Sequence, residues 1–263
     1  MFEIFSKKRG LVVRDIFFAT GVVPSNVNRD IDLYTQCSSP IYDSTPSCIL
    51  TIDLTKDENT IFQEFGKNNR YKIRRATDKD GLIFHIDFTP TIDSLEFFKK
   101  FYNNFAKSKG LPLANPAKLE ALRNSGNFSI ASVHSKDLPI VMSSFISDGY
   151  RVYFHQAATV LRDENNSALI STANRLLHWQ MMLTMKKLDV KVYDLGNISR
   201  NPKLQSLNDF KREFGGTECE TYNFTHGVSW LGKFALKTSS LQRKLPFVLS
   251  LSKDLIGASL SRR

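Results

Sequence analysis

Three short apolar runs at 128–134, 138–147 and 150–157 are separated only by Ser135-Lys136-Asp137 and by Asp148-Gly149. Each run has the length and β-branched or aromatic content of a strand, and Asp-Gly is a strong two-residue hairpin turn. The spacing therefore predicts an antiparallel meander. Residues 168–195 constrain the chain further: a long helical pattern at 168–187 gives way to a second apolar run, 190–195, ending in Asp194-Leu195-Gly196. A strand that comes after a crossover helix returns parallel to the meander, so the sheet is mixed.

The rest of the order is consistent with one sheet. Residues 48–54 read as a strand, and Thr55-Lys56-Asp57-Glu58 has the form of a capping box opening a helix that ends near Gly81. A strand at 82–88 leads to a helix at 92–109, where Leu95, Phe98, Tyr102 and Phe105 form a core-facing stripe and Gly110 and Pro112 stop the helix. A short helix near 116–124 precedes the meander. A helix at 204–214 and a strand near 218–224 close the pattern.

A chain of 263 residues, 41% hydrophobic and 24% charged, can bury a sizeable core, which argues against disorder. Cys37, Cys48 and Cys219 are odd in number and form no CxxC pair, so neither a disulfide framework nor a zinc site is suggested, and a reducing cytosol is the expected setting. No secretory signal or apolar run of about 18 residues is evident, which predicts a cytoplasmic protein, with a peripheral place at the inner face of the cell membrane left open.

Four segments carry a family resemblance. Asn68-Asn69-Arg70-Tyr71-Lys72-Ile73-Arg74-Arg75-Ala76 resembles an Asn-x-Arg-Tyr-x-Ile-Arg-Arg-Ala helix, and Ala173-Asn174-Arg175-Leu176-Leu177-His178-Trp179 resembles an Ala-Asn-x-x-Leu-x-Trp helix. Tyr193-Asp194-Leu195-Gly196-Asn197 and Phe210-Lys211-Arg212-Glu213-Phe214-Gly215 resemble Tyr-Asp-Phe-Gly-Gly and Phe-Lys-x-x-Phe-Gly. These are motifs of the Fem peptidoglycan-bridge aminoacyltransferases and their smaller acyltransferase relatives. Leu195 and Asn197 stand where that family has Phe and Gly. The resemblance spans about residues 51–224 and leaves the first 47 unassigned. It implies an α+β or α/β GNAT fold (acyl-CoA N-acyltransferase-like), a mixed twisted sheet flanked by helices, which is also the order read from periodicity. The expected division is a reduced N-terminal GNAT-like portion at 1–80, a catalytic domain at 81–225 and a basic amphipathic tail at 226–263.

The resemblance implies acyl transfer from a thioester or aminoacyl ester to an amine or hydroxyl of a cell-envelope or surface-polysaccharide precursor. It assigns Lys211 to the developing oxyanion; a solvated helix lysine is the competing reading. Asp194 either orients an acceptor or holds its own loop as an Asx-type cap. Tyr153 and His155 share a strand face, and either could exchange the acceptor proton, although a lone strand histidine is more often structural. Arg70, Arg74 and Arg75 form a basic helix face for an anionic substrate or tRNA, or a solvated face, and Asn174 and Phe210 complete the expected substrate contacts. His178 is expected to pack.

The donor is left open between acetyl-CoA and aminoacyl-tRNA, and no metal is expected. The Gln/Arg-x-x-Gly-x-Gly/Ala pyrophosphate loop of acetyl-CoA users is absent before the long helix. The formal charge of +10 suits an anionic sugar-nucleotide or lipid-linked partner. After His226, seven Lys and Arg face Asp254 alone, interleaved with Trp230, Phe234 and Phe247. That pattern fits contact with an anionic membrane, or an amphipathic helix packed on the domain. A catalytically silent module binding an anionic envelope precursor is the alternative to an enzyme.

Overall fold

The computed structural model describes residues 1–163 and 166–241. Among these residues ten strands form a single sheet: β1 (Phe2–Lys8), β2 (Leu11–Phe17), β3 (Ile31–Cys37), β4 (Thr45–Asp53), β5 (Leu82–Asp87), β6 (Phe128–Ser135), β7 (Leu138–Ser147), β8 (Arg151–Thr159), β9 (Val192–Ile198) and β10 (Thr217–Gly227). Their spatial order is β1-β2-β3-β10-β4-β9-β8-β7-β6-β5. The meander β6–β8 is antiparallel, with Gly149 at φ +86° in its second turn, and β9 returns parallel to β8. Strands from both sides of residue 80 thus share the sheet, β4 lying between β9 and β10.

Seven α-helices among the described residues cover the faces: α1 (Glu58–Glu64), α2 (Lys67–Asp78), α3 (Ile92–Lys109), α4 (Pro116–Asn124), α5 (Ser167–Lys187), α6 (Gln205–Arg212) and α7 (Trp230–Leu241). On one face α1, α2, α5 and α6 bury Ile61, Phe65, Ile73, Leu176, Met181, Phe210 and Phe214 against Leu50, Val141, Phe154 and Tyr193. On the other, α3 and α4 bury the predicted stripe Leu95, Phe98, Tyr102 and Phe105 against Phe128, Ile146 and Tyr153, with Ile4, Phe17 and Phe18 joining them. The sheet therefore curls until β1 and β2 approach β8. Phe18 meets Tyr153 edge to face at 6.5 Å, and the Arg151 guanidinium lies over the Phe18 ring.

Two local expectations are corrected. The single helix predicted from Thr55 is two helices: Phe65 turns to an extended ψ of 143°, and the Gly66 amide donates to the Glu213 carbonyl instead of continuing α1. Its cap is Asp57, which accepts from the Thr60 amide, while Thr55 turns back to Asp53. The unassigned first 47 residues supply β1, β2 and β3 and the start of β4. The tail anticipated from residue 226 begins as the end of β10 and continues as α7; Phe247 and the cations from Arg243 onward lie outside the described residues.

Candidate active site

Two irregularities at the sheet's centre create the site. Strand β8 pairs with β9 only through Arg151–Val192, Val152–Tyr193 and Tyr153–Asp194, after which the strands part. Beyond that point β8 carries a bulge: Phe145 opposes Phe154 but Ser144 opposes Gln156, leaving His155 as the extra residue. Opposite β4, strand β9 is irregular between Asp194 and Asn197, where Gly196 adopts φ +78°. A left-handed backbone there is open to glycine and strained for other residues.

Asp194 is fully buried. Its Oδ1 accepts from the Gly196 amide at 2.7 Å, the Asx-type arrangement that the sequence offered as one of two readings. Its Oδ2 has no hydrogen-bond partner among the described residues, the nearest cation being Arg151 at 4.0 Å. Burial raises the carboxyl to about 6, against the opposing pull of Arg151, the Gly196 amide and Lys211.

Lys211 comes from the opposite side of the opening. It lies on α6, whose Phe210 and Phe214 anchor the helix in the core, and its ammonium donates to the Asn197 carbonyl at 2.7 Å. The lysine is buried, and burial lowers it to about 8 against the attraction of Asp194. A side chain placed on Gly196 would meet Tyr153 Cε2 at 3.5 Å and Lys211 Nζ at 3.7 Å. The glycine thus keeps open a small space bounded by the tyrosine ring and the ammonium.

Tyr153 is buried beside Asp194, and burial raises its phenol. His155 is half-buried, and its Nδ1 shares a hydrogen bond with Ser144 Oγ at 3.2 Å. Burial, assisted by Lys118, lowers its imidazole to about 3, so the ring is neutral at physiological pH. On the core side His178 Nδ1 and the Tyr193 hydroxyl are 2.7 Å apart, and Phe154, Phe210 and Phe214 surround the imidazole, in line with the packing role anticipated for it.

The expected substrate-binding residues do not converge on this opening. Arg70 donates to the carbonyls of Gln63 and Phe65 and so closes the end of α1. Arg74 lies over the Phe62 ring, and Arg75 pairs with Asp80. Asn174 is buried and donates within α5 to the Ile170 carbonyl. Phe210 supports the site from below, with the Arg175 guanidinium 4.9 Å from its centroid.

Arg175 was not singled out by sequence reasoning, yet it joins three elements. It donates to Asn69 on α2, to Ser171 on α5 and to Glu213 after α6. Lys72 also reaches Ser171, at 3.0 Å. Arg175, a charge inside the apolar pattern of α5, was the available signal, because a buried arginine requires partners. Among the described residues no group of three or more His, Cys, Asp or Glu side chains is arranged to hold a metal ion.

No family model and no curated protein matches the sequence. Solved structures do. FemX superposes with a TM-score of 0.54 at 12% identity, over 73% of this chain and 63% of that one. The C-terminal domain of a protein named as a putative lysylphosphatidylglycerol synthetase, from Agrobacterium fabrum, superposes with a TM-score of 0.50 at 10% identity, over 80% of this chain and 72% of that one. The chain has the GNAT fold. Within this GNAT sheet the splay between β8 and β9, lined by Lys211, Asp194 and Tyr153, is the opening at which both faces meet. The chain spans slightly less than two thirds of the FemX structure, so the likeness concerns architecture.

Proposed function

We propose that this protein is an acyltransferase that carries an acyl or aminoacyl group to an amine or hydroxyl of a cell-envelope precursor. The observation that supports the reading most is the buried Lys211 ammonium in the splay between two parallel strands, facing a buried carboxylate. A solvated helix lysine has neither burial nor a lowered proton affinity. In a water-poor opening, a fixed cation beside the donor carbonyl stabilises the oxyanion that forms as the acceptor attacks. The acceptor nitrogen or oxygen forms the new bond, the donor's C–S or C–O bond breaks, and the acceptor's proton passes to the leaving group. Asp194 Oδ2, unpartnered among the described residues, and neutral His155 are the candidate proton carriers.

A thioester or aminoacyl ester donor brings phosphates. Lys72 and Arg175 meet at Ser171 near the start of α5, where helix amides favour an anion, and this is the proposed donor side. Resemblance to the Fem motifs and the architecture shared with FemX support an envelope acceptor, and the basic charge supports an anionic, lipid-linked one. Helix α7 adds Trp230 and Phe234, 75% and 62% exposed, beside Lys233, which favours contact with an anionic lipid surface. No described helix is long and apolar enough to cross a membrane.

The test is mass spectrometry of envelope precursors incubated with the protein and either acetyl-CoA or charged tRNA. A mass increment that requires Lys211 supports the reading. Precursor binding without any increment, with either donor, supports a silent binding module instead.

A further inference from the structure

A cavity of about 200 Å³ lies between the N-terminal strands β1–β3 and the bulged strand β8, closed at one side by α4. The first 47 residues build much of its wall. We propose that this cavity is the acceptor subsite of the transferase and that it takes a single sugar ring, presenting an amino or hydroxyl group to the splay past the edge of Tyr153. This identification rests on the acyl-transfer reading for its direction, while the pocket itself is argued from its lining.

The volume falls below the roughly 300 Å³ at which sites for drug-sized ligands begin, a size that suits one ring. Its polar groups are of the kind that both donate and accept: the hydroxyls of Ser6 and Thr35 and the amides of Asn115 and Gln156. That is the complement of a polyol, whose hydroxyls do the same. Gln156 Oε1 is buried with no partner among the described residues, an acceptor awaiting a donor. Tyr153 adds aromatic surface to the wall, while the Phe17 ring behind it is already covered by Phe2 and Lys118.

The charges argue in the same direction. The Lys118 ammonium donates to Asp15 Oδ1 at 2.6 Å and lies over the Phe17 ring, so the pair is internally compensated. Lys8 also lines the wall, exposed, and offers a cation to an anionic substituent on the ring, whereas the ammonium of a free amino acid would meet only the already paired Asp15. Tyr153 connects the cavity to the chemistry, because its ring edge lines the pocket and also bounds the space above Gly196 that Lys211 bounds from the other side. The β8 bulge turns Tyr153, His155 and Gln156 all towards the cavity, although strict alternation would have turned one of them away.

Saturation-transfer NMR on the full chain without donor tests the pocket independently of catalysis, using glucosamine, N-acetylglucosamine and glycine amide as probes. Ring-proton saturation from one of the two sugars is expected, with none from glycine amide. Gln156→Leu should weaken the sugar about tenfold, as loss of one buried hydrogen bond predicts. Thr35→Phe, which fills the cavity, should abolish binding, with circular dichroism showing both variants folded. Sugar binding unchanged in both folded variants overturns the proposal, as does absence of sugar saturation in the parent chain. Pocket-dependent sugar binding without transfer from any donor leaves the subsite standing and removes the acyltransferase reading; transfer to a non-sugar amine with no sugar binding does the reverse.

Discussion

The Lys211 ammonium donates to the Asn197 carbonyl at 2.7 Å and so sits over the backbone immediately after Gly196, at the point where β9 has left β8. Under the proposed acyl transfer, a donor carbonyl entering the splay would meet this cation. Lys211→Met is expected to lower kcat by about a hundredfold or more, the range found when a single oxyanion donor is removed. Thermal stability at pH 7 should be held or raised, because burial already disfavours the ammonium. Steady-state kinetics together with a melting curve check both parts; unchanged kcat in a folded variant removes Lys211 from the chemistry.

The two central ionisable groups move towards one another, Asp194 up to about 6 and Lys211 down to about 8. If the reactive form holds the carboxylate and the ammonium together, kcat/KM rises with pH through about 6 and falls beyond about 8, with the limbs belonging to the coupled pair. Asp194→Asn should abolish the acid limb.

Stability depends on the same displacements. Asp194 keeps in the folded state a proton that it loses near 3.8 when unfolded, so its contribution is full below that pH and is lost as pH rises through about 6. Lys211 loses its proton earlier in the folded state than the ordinary 10.5, so its burden is relieved as pH rises from about 8 towards that value. Asp194→Asn should therefore stabilise the protein near pH 7.5, by on the order of 2 kcal/mol, with the gain shrinking below pH ~4. Denaturant titrations at the two pH values measure the difference; a gain that is equal at both would show that the carboxyl is not buried in its charged form.

Arg175 is expected to be structural in the first instance. Arg175→Met strands the buried Asn69 and frees the part-exposed Glu213 to water, and should cost about 1–3 kcal/mol, the range for a buried polar group left unpaired. Because one network is involved, Glu213→Gln added to it should cost much less than it does alone. Additive losses in a double-mutant cycle would mean that the residues act separately.

The outer face of α7 gives a prediction of its own. Gly232 packs so closely on the 30–31 backbone that a Cβ there would overlap the Asp30 carbonyl oxygen, which fixes the helix and leaves Trp230, Leu231 and Phe234 outward. The full chain should co-sediment with phosphatidylglycerol-containing vesicles, less so in high salt, since each nearby cation adds about 1 kcal/mol. Trp230→Ala with Phe234→Ala should release it. Equal sedimentation by the parent and the double variant would assign the helix to packing alone.

The meander, the crossover helix and the return strand were legible because their residues obey simple periods and the meander's second turn carries Gly149. The first three strands were not recognised: β1 and β2 form a local hairpin about Arg9-Gly10 whose turn signal was passed over, and only β3, through β10, pairs far along the chain. The break at Gly66 was hidden for a similar reason: its amide is satisfied by Glu213, far along the chain on another helix's end. At the site, the motif residues Asp194 and Lys211 come together, whereas Arg70, Arg74 and Arg75 share a helix but face three different environments. A 3.6-residue period locates a face without revealing which carbonyl or ring already occupies each cation. Gln156 was invisible because the β8 bulge, set by pairing with β7, decides where it points.

The Arg175 clasp bears on how the lysine meets its substrate. By tying α2, α5 and α6 through Asn69, Ser171 and Glu213, it fixes the helix that carries Lys211 before any ligand arrives. The same guanidinium stands beside Lys72 at Ser171, where the proposed donor phosphates would rest. An anion drawing on that cluster would pull on the strut that aims the Lys211 ammonium, so occupancy of the proposed donor side would be transmitted to the splay mechanically, through one side chain, with no lid required.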